Sequence, residues 1–201
     1  MRLYLIRHAE PAYPADALTA RGHRQARALA RWLEGREISH LYSSPMNRAL
    51  ETAHYTARRL GLEVEVEPWT RELEAWWIPD ETLGELPAWQ VDATTLRALD
   101  PGAWRSTPPL DAPHLRTGFD RLCADADAFL ARNQGSRGLA LFCHAGFALT
   151  WLAHLLSIPL PLMWAGFALP PASVTTIVFE ELPGGGTAAR CVGLGEVGKG
   201  T

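Results

Sequence analysis

The sequence predicts an α/β protein, a three-layer α/β/α sandwich built on a mainly parallel central sheet. Three observations lead there. Two short runs of strand formers, Leu3-Tyr4-Leu5-Ile6 and Leu139-Ala140-Leu141-Phe142-Cys143, are apolar throughout, as strands covered on both faces are. Between such runs lie segments whose apolar positions recur at helical spacing. Both runs end abruptly in polar residues, Arg7-His8 and His144, and sheets of this class bind ligands beyond the carboxyl ends of their strands.

The elements follow in order. After the first strand, Ala26, Leu29, Ala30 and Leu33 mark a helix over 21–34, with Thr19 as its N-cap. His40-Leu41-Tyr42 reads as a second strand. Ser44 then caps a helix that takes Pro45 as its first residue and is stopped by Gly61. Val64 and Val66 alternate with glutamates, which suggests a strand exposed on one face. The stretch 68–113 differs. It is rich in proline, holds Trp69, Trp76, Trp77, Trp89 and Trp104, and has one weak helical pattern near 84–99. It reads as a lid-like insertion over one end of the sheet, within a single domain that spans 1–201. A helix over 115–133, the strand at 139–143 and a helix over 147–156 come next. Residues 174–179 and 189–194 form a strand pair across Pro183-Gly184-Gly185-Gly186. The Gly-rich end, 193–201, reads as a loose tail.

Length and composition narrow the function classes. The chain has 201 residues, 47% of them hydrophobic, enough for one sizeable core. A net charge of −3 without a basic stripe argues against nucleic acid, yet a few local arginines can still dominate one pocket. Three cysteines without CxxC spacing suit neither a disulfide framework nor a zinc site. The apolar start is too short for a signal segment, and no run reaches membrane-spanning length. The expectation is a cytoplasmic protein with no membrane or nucleic-acid partner; oligomeric state is not readable.

Phosphoryl transfer needs an in-line nucleophile, with cations or strong donors around three equatorial oxygens. Histidine can serve as the nucleophile, and arginine binds phosphate through a planar fork. Three places pair such residues with a strand end or a helix start: Arg7-His8, Arg48 and His144. His23, His40, His54, His114 and His154 show no metal-ligand spacing, so neither metal nor cofactor is expected. Cys143 reads as a small buried hydrophobe.

These residues lie in a familiar pattern. Leu5-Ile6-Arg7-His8-Ala9-Glu10 resembles the RHG signature of the histidine phosphatase (phosphoglycerate mutase-like) superfamily. The resemblance continues in Leu18-Thr19-Ala20-Arg21-Gly22 with Gln25-Ala26, in Ser43-Ser44-Pro45-Met46-Asn47-Arg48-Ala49 through Thr52-Ala53, and in Cys143-His144-Ala145-Gly146. It covers most of the chain outside 75–115. It implies a phosphoglycerate mutase-like fold and hydrolysis of small phosphorylated molecules through a phosphohistidine on His8. It further implies that Arg7 and Arg48 bind the phosphoryl group and that His144 binds its oxygens and stabilises developing charge. Glu72, in Thr70-Arg71-Glu72-Leu73-Glu74, matches the general acid. Ala75-Trp76-Trp77-Ile78-Pro79 replaces the residues that usually follow it, which leaves Glu74 as a rival. Position 9 is Ala where Gly is commonest, and Cys143 stands where Ser or Thr is frequent.

The alternatives are a phosphoglycerate mutase, a non-catalytic phosphoprotein-binding module and a short phosphohistidine-protein phosphatase. Mutases carry a Thr-Gly pair before the Leu-Ser/Thr motif and a basic segment after the acid. Here only 11–17 separate Glu10 from Leu18, and 75–100 hold one basic residue, Arg97. The intact Arg7, His8, Arg48 and His144 set argues against a module that only binds. The short phosphatases lack a lid like 68–113.

Overall fold

The computed structural model describes residues 1–73 and 75–198. In chain order its strands and helices are β1 (Arg2–Arg7), β2 (Pro11–Ala12), β3 (Ala17–Leu18), α1 (Ala20–Glu34), β4 (His40–Ser43), α2 (Asn47–Leu60), β5 (Val64–Val66), β6 (Trp77–Asp80), β7 (Gly84–Pro87), α3 (Ala93–Ala98), α4 (Pro113–Arg132), β8 (Gly138–Cys143), α5 (Ala145–Leu155), α6 (Leu160–Gly166), β9 (Val174–Glu181) and β10 (Thr187–Glu196). Six strands form the central sheet in the order β10-β9-β1-β8-β4-β5. The run β1-β8-β4-β5 is parallel, and β9 and β10 join antiparallel.

Strand side chains alternate between two cores, as the two-residue period requires. Tyr4, Ile6, Leu41, Ala140 and Phe142 pack with Ala26, Leu29 and Leu33 of α1 and Ala53 of α2. Leu3, Leu5, Tyr42, Leu139, Leu141 and Cys143 pack with Phe129 of α4 and Phe147 and Trp151 of α5. Helices therefore cover both faces, giving the expected α/β/α layers.

The parallel register fixes where chemistry can occur. Arg7 pairs with Cys143, and Ser43 with Phe142. The residues that leave these strands, His8, His144 and Ser44, consequently emerge side by side at one end of the sheet.

Several elements depart from expectation. No helix spans 84–99; β6 and β7 make a hairpin at its start, a single 3-10 turn follows at Ala88–Gln90, and the α-helix is confined to Ala93–Ala98. Turn chemistry outweighs the weak helical pattern. Asp80 Oδ1 accepts from the amides of Thr82 and Leu83, and Gly84 takes a left-handed φ of 78°. Asp92 then caps the short helix through the amides of Thr94 and Thr95. Ser44 is not the cap of α2. The helix begins at Asn47, Met46 occupies the cap position, and the Asn47 amide is satisfied from a distance by Asp16 Oδ2 at 2.8 Å. Helix α5 begins at Ala145 rather than 147, with His144 as its cap residue. The tail is shorter than expected, because Gly193 and Gly195 belong to β10, held to β9 across two register shifts. Residues 199–201 and Glu74 lie outside the described residues. The small hairpin β2/β3 and helix α6 are additions to the elements read from sequence.

Within 68–113, Leu73, Trp76, Ile78, Ala88, Leu96, Leu99, Trp104 and Leu110 join the same core as β1, β8 and α5. Trp69 packs on Phe129, Phe147 and Trp151 with ring centroids 5.4 to 5.8 Å apart, tilted against the two phenylalanines and edge-on to Trp151. That cluster anchors the start of the segment against the first turn of α5.

Candidate active site

His8 leaves the end of β1 and is 1% exposed. Its Nδ1 lies 2.8 Å from the Ala9 carbonyl oxygen. A carbonyl only accepts, so Nδ1 carries the proton and Nε2 presents a lone pair. Arg48 Nε donates to that Nε2 at 3.2 Å. Burial lowers the His8 imidazole to about 4; the Ala9 carbonyl opposes this, and the guanidiniums of Arg48 and Arg7 add to it. At neutral pH the ring is therefore uncharged, with one defined tautomer and an Nε2 lone pair that can act on an electrophile.

The backbone around His8 is held by the motif residues that follow it. The Ala9 amide donates to Thr52 Oγ1 at 3.0 Å, and the Glu10 amide to Gln25 Oε1 at 2.9 Å. Gly22 lets α1 approach this loop: a Cβ there would stand 2.2 Å from the Glu10 carbonyl oxygen. The Leu18-Thr19-Ala20-Arg21-Gly22 motif thus braces the loop that follows His8.

His144 is fully buried, with its ring centroid 5.2 Å from that of His8 and the planes tilted by 60°. Its Nε2 lies 2.8 Å from Ser44 Oγ, so the hydroxyl read as a helix cap orients the second histidine instead. Burial pushes its pKa well below the usual histidine range, and the nearby His8, Arg48 and Arg7 push the same way. Arg7 Nη1 donates to the Leu169 carbonyl at 2.5 Å. Arg7 Nε and His144 Nδ1 are buried without a hydrogen-bond partner among the described residues. Unpaired buried groups of this kind are costly unless an added ligand completes them, and an oxyanion suits Arg7 Nε.

Glu72 reaches the same place from the 68–113 segment. Its Oε1 accepts from the Phe147 amide at 2.9 Å, in the first turn of α5. Burial raises its carboxyl above the ordinary glutamate range; the amides of Phe147 and Leu73 and the Arg48 charge partly offset this. Trp89 and Glu72 both close on Gly146, where an added Cβ would meet Trp89 Cδ2 and Glu72 Oε1 at 2.9 Å.

The five residues singled out in the sequence therefore meet at one end of the sheet. Sequence reasoning missed several neighbours, three of them bonded directly to the predicted residues through side chains. Asp16 pairs with Arg48 Nη1, Met46 Sδ lies 3.4 Å from Arg48 Nη2, and Ser44 holds His144. Met46 and Ser44 stand inside a quoted motif, so their place was signalled although their contacts were not. Asp16 had no such signal. Among the described residues no group of three or more His, Cys, Asp or Glu is arranged to hold a metal ion.

The chain is similar to several known proteins. The chain is 33% identical over 82 residues to a probable phosphoglycerate mutase of Photorhabdus laumondii, covering 36% of this chain and 38% of that protein. It is 37% identical over 81 residues to a putative phosphoserine phosphatase of Hydrogenobacter thermophilus, covering 36% of this chain and 40% of that protein. The chain thus spans about two fifths of the length of these curated relatives. A mycobacterial glucosyl-3-phosphoglycerate phosphatase structure superposes with a TM-score of 0.67 at 25% identity, covering 98% of this chain and 99% of that one. The sequence profile of the histidine phosphatase superfamily (branch 1) matches residues 3–185, and the chain belongs to that superfamily.

Proposed function

We propose that this chain is a phosphatase that hydrolyses small phosphate monoesters through a phosphohistidine on His8. The observation that carries the reading is the tautomer of His8: Nδ1–H is held by the Ala9 carbonyl while Nε2 faces Arg48. In the first step His8 Nε2 attacks phosphorus and the ester P–O bond breaks. Arg7, Arg48 and His144 hold the equatorial oxygens, and the Glu72 carboxyl gives its proton to the leaving alkoxide. In the second step water attacks the phosphohistidine, Glu72 takes the water proton, and the N–P bond breaks to release phosphate. The raised pKa of Glu72 suits the first of its two tasks, and the lowered pKa of His8 suits a nucleophile.

Transfer to a second alcohol, as in a mutase, would need cations near the lid to hold a doubly charged intermediate. Arg97 is the one basic residue in 75–100, and its Nη2 is committed to the Ala165 carbonyl at 3.0 Å. Water is therefore the favoured acceptor. Segment 68–113 would act as the lid over the leaving group, within one domain. The arginines supply the positive charge, so activity should persist after exhaustive chelation; loss reversed by added Mg²⁺ or Zn²⁺ would contradict this. The free thiols of Cys123, Cys143 and Cys191 suit a cytoplasmic location. No helix among the described residues is long and apolar enough to cross a membrane.

The decisive experiment is rapid quench with a ³²P-labelled phosphate monoester. Label should appear on the protein in a base-stable, acid-labile bond and vanish in His8→Ala together with turnover. Near-normal kcat in His8→Ala would sink the reading.

A further inference from the structure

We propose that Asp16 is a positioning residue that holds the Arg48 guanidinium in the orientation a phosphoryl group needs. The proposal rests on the reading of Arg48 as a phosphate ligand and adds what aims it. A guanidinium can meet an oxyanion through its side edge, Nε and Nη2, or through its end, Nη1 and Nη2. Arg48 Nε points at His8 Nε2 at 3.2 Å, Nη2 meets the weak acceptor Met46 Sδ at 3.4 Å, and the guanidinium carbon lies 5.6 Å from the centroid of the Tyr13 ring. Nη1 is paired with Asp16 Oδ1. The strong anionic partner thus sits on the far nitrogen, and the side edge stays turned toward the nucleophile.

Asp16 is itself built into place. Its second oxygen, Oδ2, accepts from the Asn47 amide at 2.8 Å, in the first turn of α2. Its backbone takes a left-handed φ of 49°, which Asp tolerates better than most residues. The hairpin carrying it is tied to α2 again, where the Leu18 amide donates to Glu51 Oε2 at 2.7 Å. One carboxylate therefore joins the helix start that carries Arg48 to Arg48's own side chain. The Arg48 side chain is 6% exposed and that of Asp16 36%, so the pair is partly shielded from water. Without Asp16 the guanidinium would lose the ionic anchor on Nη1 and be held by weaker contacts, and misplacement of a ligand by about 1 Å is enough to cost on the order of 10²-fold in rate.

The test compares wild type with Asp16→Ala and Asp16→Asn. Orthovanadate affinity is measured by calorimetry, and kcat and KM on p-nitrophenyl phosphate in parallel. Asp16→Ala should weaken vanadate about tenfold and lower kcat/KM by about the same factor, the scale typical of residues that orient a ligand-binding side chain. Asp16→Asn keeps one side-chain oxygen and should recover part of both losses. In an Arg48→Ala background, removing Asp16 should change kcat/KM less than twofold, because its effect runs through Arg48. A merely structural role would instead leave the loss undiminished there. The proposal is overturned if Asp16→Ala binds vanadate equally well or more tightly, or if its full effect persists without Arg48. Should Asp16→Ala fail to fold, Asp16→Asn carries the same comparison, with a loss of a few fold expected. Absence of turnover in the wild type would count against the phosphatase reading alone, since vanadate binding still reads the role of Asp16.

Discussion

Arg48 and His144 are the residues whose removal should act most directly on anion binding. Each faces His8, and each is almost wholly buried. Removing one preorganised donor typically costs on the order of 10² to 10³ in rate. Arg48→Ala and His144→Ala should each lose about that much kcat while keeping their fold by circular dichroism, and both should bind vanadate poorly. Wild-type vanadate affinity in either variant would exclude that residue from the phosphoryl site. Glu72 calls for a different readout. An acid matters most for a poor leaving group, so Glu72→Gln should slow an alkyl phosphate far more than p-nitrophenyl phosphate. Equal slowing of both substrates would assign Glu72 to the structural task of bonding the Phe147 amide instead. Arg7, His8, Arg48 and His144 are legible in the sequence because each stands in a contiguous motif at a strand end or helix start. Asp16 is not legible, since it joins the site only when a two-residue hairpin folds back on α2. The Ser44 hydroxyl is misread for a related reason: a serine before Pro45 looks like a cap, and only the β4–β8 register turns it toward His144.

Whole elements are easier to read where burial on both sides removes ambiguity. The runs that become β1 and β8 are apolar throughout, and helices α1 and α4 have strong periodicity or length. The 68–113 segment resists reading because its apolar residues answer to tertiary neighbours rather than to a repeat. Trp76 packs on Trp164 of α6, with centroids 6.1 Å apart, and Trp69 packs on α5. The brace around His8 gives a paired prediction at this scale. A Cβ at Gly22 would meet the Glu10 carbonyl oxygen at 2.2 Å, and one at Gly138 would meet the Glu37 carbonyl oxygen at 2.0 Å. Both contacts are backbone and cannot swing aside, so each Ala substitution should destabilise by about 1 to 3 kcal/mol. Gly138 starts β8 at the end of the sheet opposite the site, whereas Gly22 presses on the loop that follows His8. At a temperature where both variants are folded, Gly22→Ala should lose kcat and Gly138→Ala should keep it. Matching losses in the two variants would mean that the Leu18–Gly22 motif serves stability alone.

For the molecule as a whole, burying two uncharged histidines at one end of the sheet makes stability depend on pH. In the unfolded chain His8 takes up a proton near pH 6.5, whereas in the fold it does so only near 4. Between those values the unfolded state binds more protons than the native state, so stability rises with pH across that window and falls as the solution is acidified through it. The displacement corresponds to on the order of 3 kcal/mol at full expression. His144, also lowered by burial, acts in the same direction. Glu72 acts against them, because its carboxyl is raised and the fold holds that proton more tightly than the unfolded chain does. Replacing His8 alone isolates its share from the opposing share of Glu72. Urea midpoints at about pH 7.5 and pH 5 should therefore differ more in wild type than in His8→Gln, which keeps a polar group but cannot titrate. If His8 is the nucleophile proposed above, substrate turnover should fall in acid over a lower range than the unperturbed histidine pKa, since its imidazole stays uncharged down to about pH 4. Identical pH slopes of stability in wild type and His8→Gln would show that the buried imidazole is not the group that resists protonation, and the uncharged nucleophile would lose its physical basis.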